Sequence, residues 1–175
     1  WRQLSKTPLI IHGDNCCLVA DPATRRYFLY QKMGFLHGLD MHRSWIGLES
    51  PDGIHWEGYN GFGTLRECFV ADDYDNLIAA QHGLRLADHY CIGMARVGDL
   101  YIGIESMFLV GDPLKLEFGQ NPNGLAYVRL AYSHNGFNWR HPQGRPPWLE
   151  LGQPGSFDAG FMVTANTFVE HGDET

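Results

Sequence analysis

Lysine is nearly missing from this chain. Only three of its 13 cationic side chains are lysines (Lys6, Lys32 and Lys115), against 20 acidic residues, and the net charge is −7. No basic run occurs, so nothing in the sequence would neutralise a phosphate backbone, and the composition argues against a nucleic-acid partner. Long apolar runs are missing too: none approaches the roughly 18 residues of a helical membrane span. Charged residues are only 19% of the chain, below the roughly 25% of an average soluble domain. With 44% apolar residues, the chain lacks the composition of a disordered tail.

Several spacing signatures are absent as well. There is no GxSxG, no Walker glycine–lysine and no dinucleotide fingerprint after a strand. The nine histidines form no HExxH or other ligand spacing; His37 and His42, with Asp40 between them, come nearest. They read as scattered polar residues, and the expectation is of no metal and no cofactor. The four cysteines contain no CxxC pair. Cys16 and Cys17 are adjacent, and adjacent strand side chains point to opposite faces, so they are poor disulfide partners. Four buried free thiols are the simpler reading, with one disulfide left open.

What is present is turn formers and rings. The 175 residues, about one domain, include 21 glycines and nine prolines, and 13% are aromatic. Segments 16–20 and 27–30, joined by Asp21-Pro22, read as a hairpin, with a third strand at 44–49. A second set runs through 90–95, 100–104 and 126–132, interrupted by a Gly/Pro/Asn-rich loop at 111–124. A third opens at Phe161-Met162-Val163-Thr164. One helix is expected around 75–86, where Leu77, Ala80 and Leu84 share a face.

The sets repeat. Ser50-Pro51-Asp52-Gly53-Ile54-His55-Trp56 and Ser133-His134-Asn135-Gly136-Phe137-Asn138-Trp139 share the pattern Ser-x-(Asp/Asn)-Gly-x-x-Trp. Asp or Asn tolerates left-handed backbone, Gly supplies positive φ, and the hydroxyl caps the turn. Trp56 and Trp139 are expected to pack back over their hairpins, and Trp1-Arg2 matches the end of an earlier copy. Asp14, Asp88 and Asp158 recur before the first strand of each set, 74 and 70 residues apart (14 to 88, 88 to 158). Repeated small sheets with glycine turns suggest blades of a β-propeller, whose first strands line a central channel. The fold class expected is all-β, a partial five-bladed propeller: two full blades and part of a third, in one unit over 1–175. Its blade-like units are 12–60, 86–142 and 156–175. Both chain ends read as cut.

The residues from Asp14 to Pro22 (Asp-Asn, then Asp-Pro), Arg26-Tyr27-Phe28-Leu29-Tyr30, Ser50 to Trp56, and Gly155-Ser156-Phe157-Asp158-Ala159-Gly160 resemble the five-bladed propeller glycosidases. These form the superfamily that holds glycoside hydrolase families 32 and 43. The resemblance implies three carboxylates from successive blades around a funnel: a nucleophile or base, a helper and a general acid. Asp14 matches the first-blade acid, and Asp158 holds the matching place in a later blade. The short signatures of family 32 are not cleanly present; Glu67-Cys68 matches one only as an isolated pair.

A glycosidase needs one protonated carboxyl and one ionised carboxylate. The candidate catalytic residues are therefore Asp14, Asp158 and Asp88. The candidate substrate-binding residues are Asn15, Glu105 (also a candidate general acid) and Phe157. Each has a plainer reading: Asp14 as a turn cap, Glu105 as a surface residue, Asp52 as a turn residue, and Asp72, Asp73 and Asp75 as a loop or helix N-terminus. The expected partner is a carbohydrate substrate or ligand. A non-catalytic propeller that binds carbohydrate or protein is the alternative; a sialidase-like propeller fits less well, because the repeated turn lacks the full Asp-box spacing.

Overall fold

The computed structural model describes residues 6, 14–38, 40–57, 66–111, 123–169 and 172. Trp1-Arg2 and most of the 111–124 loop lie outside them. The described chain is all-β apart from one helix, and it forms two antiparallel sheets. The first is a meander of β1 (Cys16–Asp21), β2 (Arg26–His37), β3 (Asp40–Ser50) and β4 (Glu67–Phe69) in that spatial order. Helix α1 (Asp73–Gln81) leads into the second. There, β5 (Leu86–Val97), β6 (Leu100–Val110), β7 (Gly124–Ser133) and β8 (Trp139–Arg140) again run in order. Strand β9 (Pro147–Leu149) also pairs with β7. These sheets extend past the expected units, because β4 and β9 follow residues 60 and 142.

Local chemistry explains the strand ends. The Asp21 carboxylate accepts the backbone N–H groups of Ala23 (2.9 Å) and Thr24 (3.3 Å), which closes the β1–β2 hairpin. The two repeated turns share the same backbone-capping bonds. Ser50 Oγ accepts the N–H of Gly53 at 2.8 Å, and Ser133 Oγ that of Gly136 at 3.0 Å. Asp52 Oδ1 accepts from Ile54 and His55, as Asn135 Oδ1 does from Phe137 and Asn138. Gly53 and Gly136 have φ of 75° and 77°, and each Trp indole donates back to its glycine carbonyl. Asp52 is thus a turn residue.

The core lies between the sheets. Cys17, Val19, Phe28, Tyr30, Trp45 and Phe69 from the first meet Ile92, Met94, Tyr101 and Ala131 from the second. Rings interlock edge-on: Phe28 with Tyr101 at 5.2 Å, and Tyr30 with Trp139 at 6.0 Å. Gly47 permits close approach, since a methyl there would stand 2.6 Å from Cys68 Sγ.

Four expectations change. Helix α1 begins earlier than expected because Asp72 and Asp75 form a reciprocal capping box at its N-terminus. Trp56 and Trp139, expected to pack back over their hairpins, are only half-buried, and each indole bonds back to the glycine of its own turn. Cys16 is exposed while Cys17 is buried, as strand alternation requires, and all four thiols are free. The run Phe161–Thr164 forms no ladder of its own. Its Phe161 bridges Ala126 of β7, Thr164 N–H donates to Ser106 Oγ of β6, and Thr167 bridges Met94 of β5. The segment therefore crosses the second sheet.

Candidate functional site

Strand β5 was expected to open at Tyr90 but begins at Leu86, so Asp88 lies inside the strand and not ahead of it. The β5–β6 register shifts between His89 and Cys91, leaving Tyr90 as the extra residue of a bulge. Bulges re-aim side chains, and the Tyr90 ring is met by two cations from the first sheet. Lys32 Nζ of β2 lies 4.0 Å from its centroid, and the Arg43 guanidinium of β3 lies 5.6 Å away.

Each cation also holds a carboxylate. Lys32 Nζ is 2.9 Å from Asp14 Oδ1. Arg43 Nη1 donates to Asp88 Oδ2 at 2.7 Å, and His42 Nδ1 is 3.3 Å from Asp88 Oδ1. Asp14 and Asp88 are thereby linked through cations that share the Tyr90 ring, in different environments. The Asp14 side chain is 75% exposed, whereas Asp88 is fully buried. The Lys32 ammonium bonded to Asp14 outweighs partial burial and keeps its carboxyl below the usual aspartate range. Hydrogen bonding to Asp88, working against burial, raises the His42 pKa. Asn15, next to Asp14, donates from Nδ2 to Cys91 Sγ at 2.9 Å. Its Oδ1 is buried with no partner among the described residues.

Asp158 sits elsewhere. It lies in a loop, where its carboxylate accepts from Ser156 Oγ at 2.6 Å. It lines a cavity of about 510 Å³ with Ile104, Val128, Trp148, Phe157 and Phe161. Phe157 is fully exposed at its rim. Phe161 connects the two regions, since it packs edge-on against Tyr90 at 5.7 Å and Phe108 at 5.4 Å.

Glu105 is not at the surface. It is buried at the centre of a charge network, receiving Arg129 Nε and lying 2.8 Å from His89 Nδ1 and 2.6 Å from His141 Nε2. Arg129 continues to Asp75 of α1 at 2.6 Å, and Arg145 joins Asp75 and Asp72. Burial pushes the Glu105 carboxyl up, but Arg129 and His89 overcome it and hold it well below the usual range. Among the described residues no group of His, Cys, Asp and Glu could hold a metal ion.

Sequence reasoning missed Lys32, Arg43 and Tyr90, and read His42 as a scattered polar residue. One signal was there: a rare lysine inside an aromatic strand, between Gln31 and Met33, has to be paired or solvated.

The class defined by this architecture is an all-β protein of successive antiparallel meanders packed face to face. No family model matches the chain, and no curated protein matches it. Among solved structures it is similar to an N-acetylgalactosamine deacetylase from F. plautii, in complex with blood group B trisaccharide. Sequence identity is 20%, the TM-score is 0.53, and the likeness covers 83% of this chain and 33% of that one. The chain thus spans about a third of the length of the structure it matches, and at this identity the likeness is one of fold. Among the described residues no helix is long and apolar enough to cross a membrane.

Proposed function

We propose that this chain forms two blades of a propeller related to glycoside hydrolase families 32 and 43, and that it acts on a glycan. The carrying observation is the clamp between the sheets: exposed Asp14 and buried Asp88 held by Lys32 and Arg43 around the Tyr90 ring. Asp14, ionised and open to solvent, is the carboxylate that attacks or activates water. Asp88 is the helper, sealed behind Arg43 and His42. Asp158, in the separate cavity that Phe161 joins to the Tyr90 ring, is the candidate general acid. The neighbouring cavity, at about 510 Å³, is within the 300–1,000 Å³ typical of small-ligand sites. Trp148, Phe157 and Phe161 offer apolar ring surface to sugar C–H faces. The fold likeness to a deacetylase solved with a trisaccharide supports a glycan as the ligand.

A non-catalytic glycan-binding role is the second reading, favoured by the complete burial of Asp88, which leaves that carboxylate unable to reach a ligand without movement. The test is a panel of aryl glycosides and N-acetylated aminosugars, assayed for aglycone and acetate release, with a glycan-binding array beside it. Glycoside hydrolysis that falls about 10²–10⁴-fold in Asp14→Asn, as for loss of a general base, supports the enzyme. Acetate release alone replaces glycosidase by deacetylase chemistry. Binding without turnover, kept in Asp14→Asn, leaves the binding module. No binding and no turnover removes the glycan reading.

A further inference from the structure

We infer that Lys32 is a positioning residue, which holds the exposed Asp14 carboxylate in place while its own ammonium is held over the Tyr90 ring. The inference rests on the reading of Asp14 as the working carboxylate. Its basis is a mismatch between what the pair costs and what it returns to stability. Lys32 is only 6% exposed, and burying an ammonium group is expensive unless it is paired. Its partner Asp14 is 75% exposed and needs no partner for its own solvation. A methionine would fill the same space against Tyr90 without that penalty. The arrangement is explained if the buried cation serves the exposed carboxylate.

The geometry fits that role. The ammonium lies 4.0 Å from the Tyr90 centroid, where the ring quadrupole favours a cation. It is 2.9 Å from Asp14 Oδ1. Tyr90 is the bulged residue of β5, so the second sheet sets where a first-sheet cation stands. Among the described residues, the charged and titratable groups that act on Asp14 are Lys32 of β2 and Arg43 of β3, with Cys91 of β5 in reach through Asn15. Arg43 is already engaged by Asp88. Lys32 is therefore the cation whose removal Asp14 should feel most.

The experiment follows the Asp14 carboxyl carbon by NMR through an acid titration of the 175-residue chain, with Asp14→Asn to assign the signal. Native protein, Lys32→Met, Lys32→Gln and Lys32→Arg are compared. The expected midpoint is below the ordinary value of about 3.9 in the native protein, rises in both neutral variants, and falls again in Lys32→Arg. An unchanged midpoint in a folded neutral variant overturns the proposal. So does failure of both neutral variants to fold while Lys32→Arg folds, because Lys32 is then a structural cation. If a glycoside is turned over, the acid limb of kcat/KM should move up in pH in Lys32→Met and return in Lys32→Arg. A structural defect would lower the rate equally at every pH. Absence of any glycan activity defeats the functional reading and leaves the titration result to stand by itself.

Discussion

Arg129 shows most directly what single residues contribute. It is fully buried in β7, yet both of its carboxylate partners, Glu105 and Asp75, are buried as well. A buried ion pair is weak evidence for net stability, but removing one partner strands the others. Arg129→Met should therefore cost about 3–5 kcal/mol, the range for breaking a buried pair, read as a lower urea midpoint. Replacing all three charges together by apolar residues should cost less than that single change. The same network ties the first turn of α1 to the second sheet, because Asp75 is both the N3 residue of the capping box and the partner of Arg129 and Arg145.

At the scale of elements, the repeated turn does the connecting. Its glycine at positive φ is required in both copies, but the second copy is also locked into the core. Tyr30 of the first sheet donates its hydroxyl to the Gly136 carbonyl at 2.8 Å. A methyl on Gly136 would also stand 2.8 Å from that same oxygen. Trp139 packs on Phe69 at 5.0 Å as well as on Tyr30. Trp139→Ala should thus cost about 3 kcal/mol, the low end for loss of a large core side chain. Trp56→Ala should cost clearly less, because Trp56 is outside the inter-sheet core. Equal losses in the two variants, measured by thermal unfolding, would mean that the turns play equal parts. Gly136→Ala should destabilise more than Gly53→Ala, since it adds a clash to the shared backbone strain.

The whole molecule should fail in acid. Asp75 and Glu105 are both held below their ordinary values, with burial opposed by Arg129 in each case. A carboxylate whose folded pKa is depressed contributes stability that is complete above its unfolded value, about 3.9–4.3, and disappears as pH falls toward the folded value. The melting temperature should be flat above about pH 5 and drop below about pH 4. Glu105→Gln should start from a lower melting temperature and lose less on acidification. A melting curve independent of pH between 3 and 6 would show that the network adds nothing through ionisation.

Much of this protein was fixed by local rules. Alternation placed Cys17 inside and Cys16 outside, turn chemistry placed Asp52, Asn135 and their glycines, and the strand-rich pattern set the all-β class, because each depends on neighbours within a few residues. The recurrence of Asp14 and Asp88 along the chain was also legible, but only Asp14 precedes its strand, since β5 already begins at Leu86. Tertiary structure decided what these acids became. A bulge at Tyr90, which no spacing announces, turned a ring toward Lys32 and Arg43 of the other sheet. Asp14 stayed open, while Asp88 was sealed behind Arg43 and His42. Glu105 had the signature of a surface strand end, yet Arg129, His89 and His141 drew it inward. Whether a carboxylate is solvated or buried depends on which distant strands lie across it, and that is settled only when the two sheets close on each other.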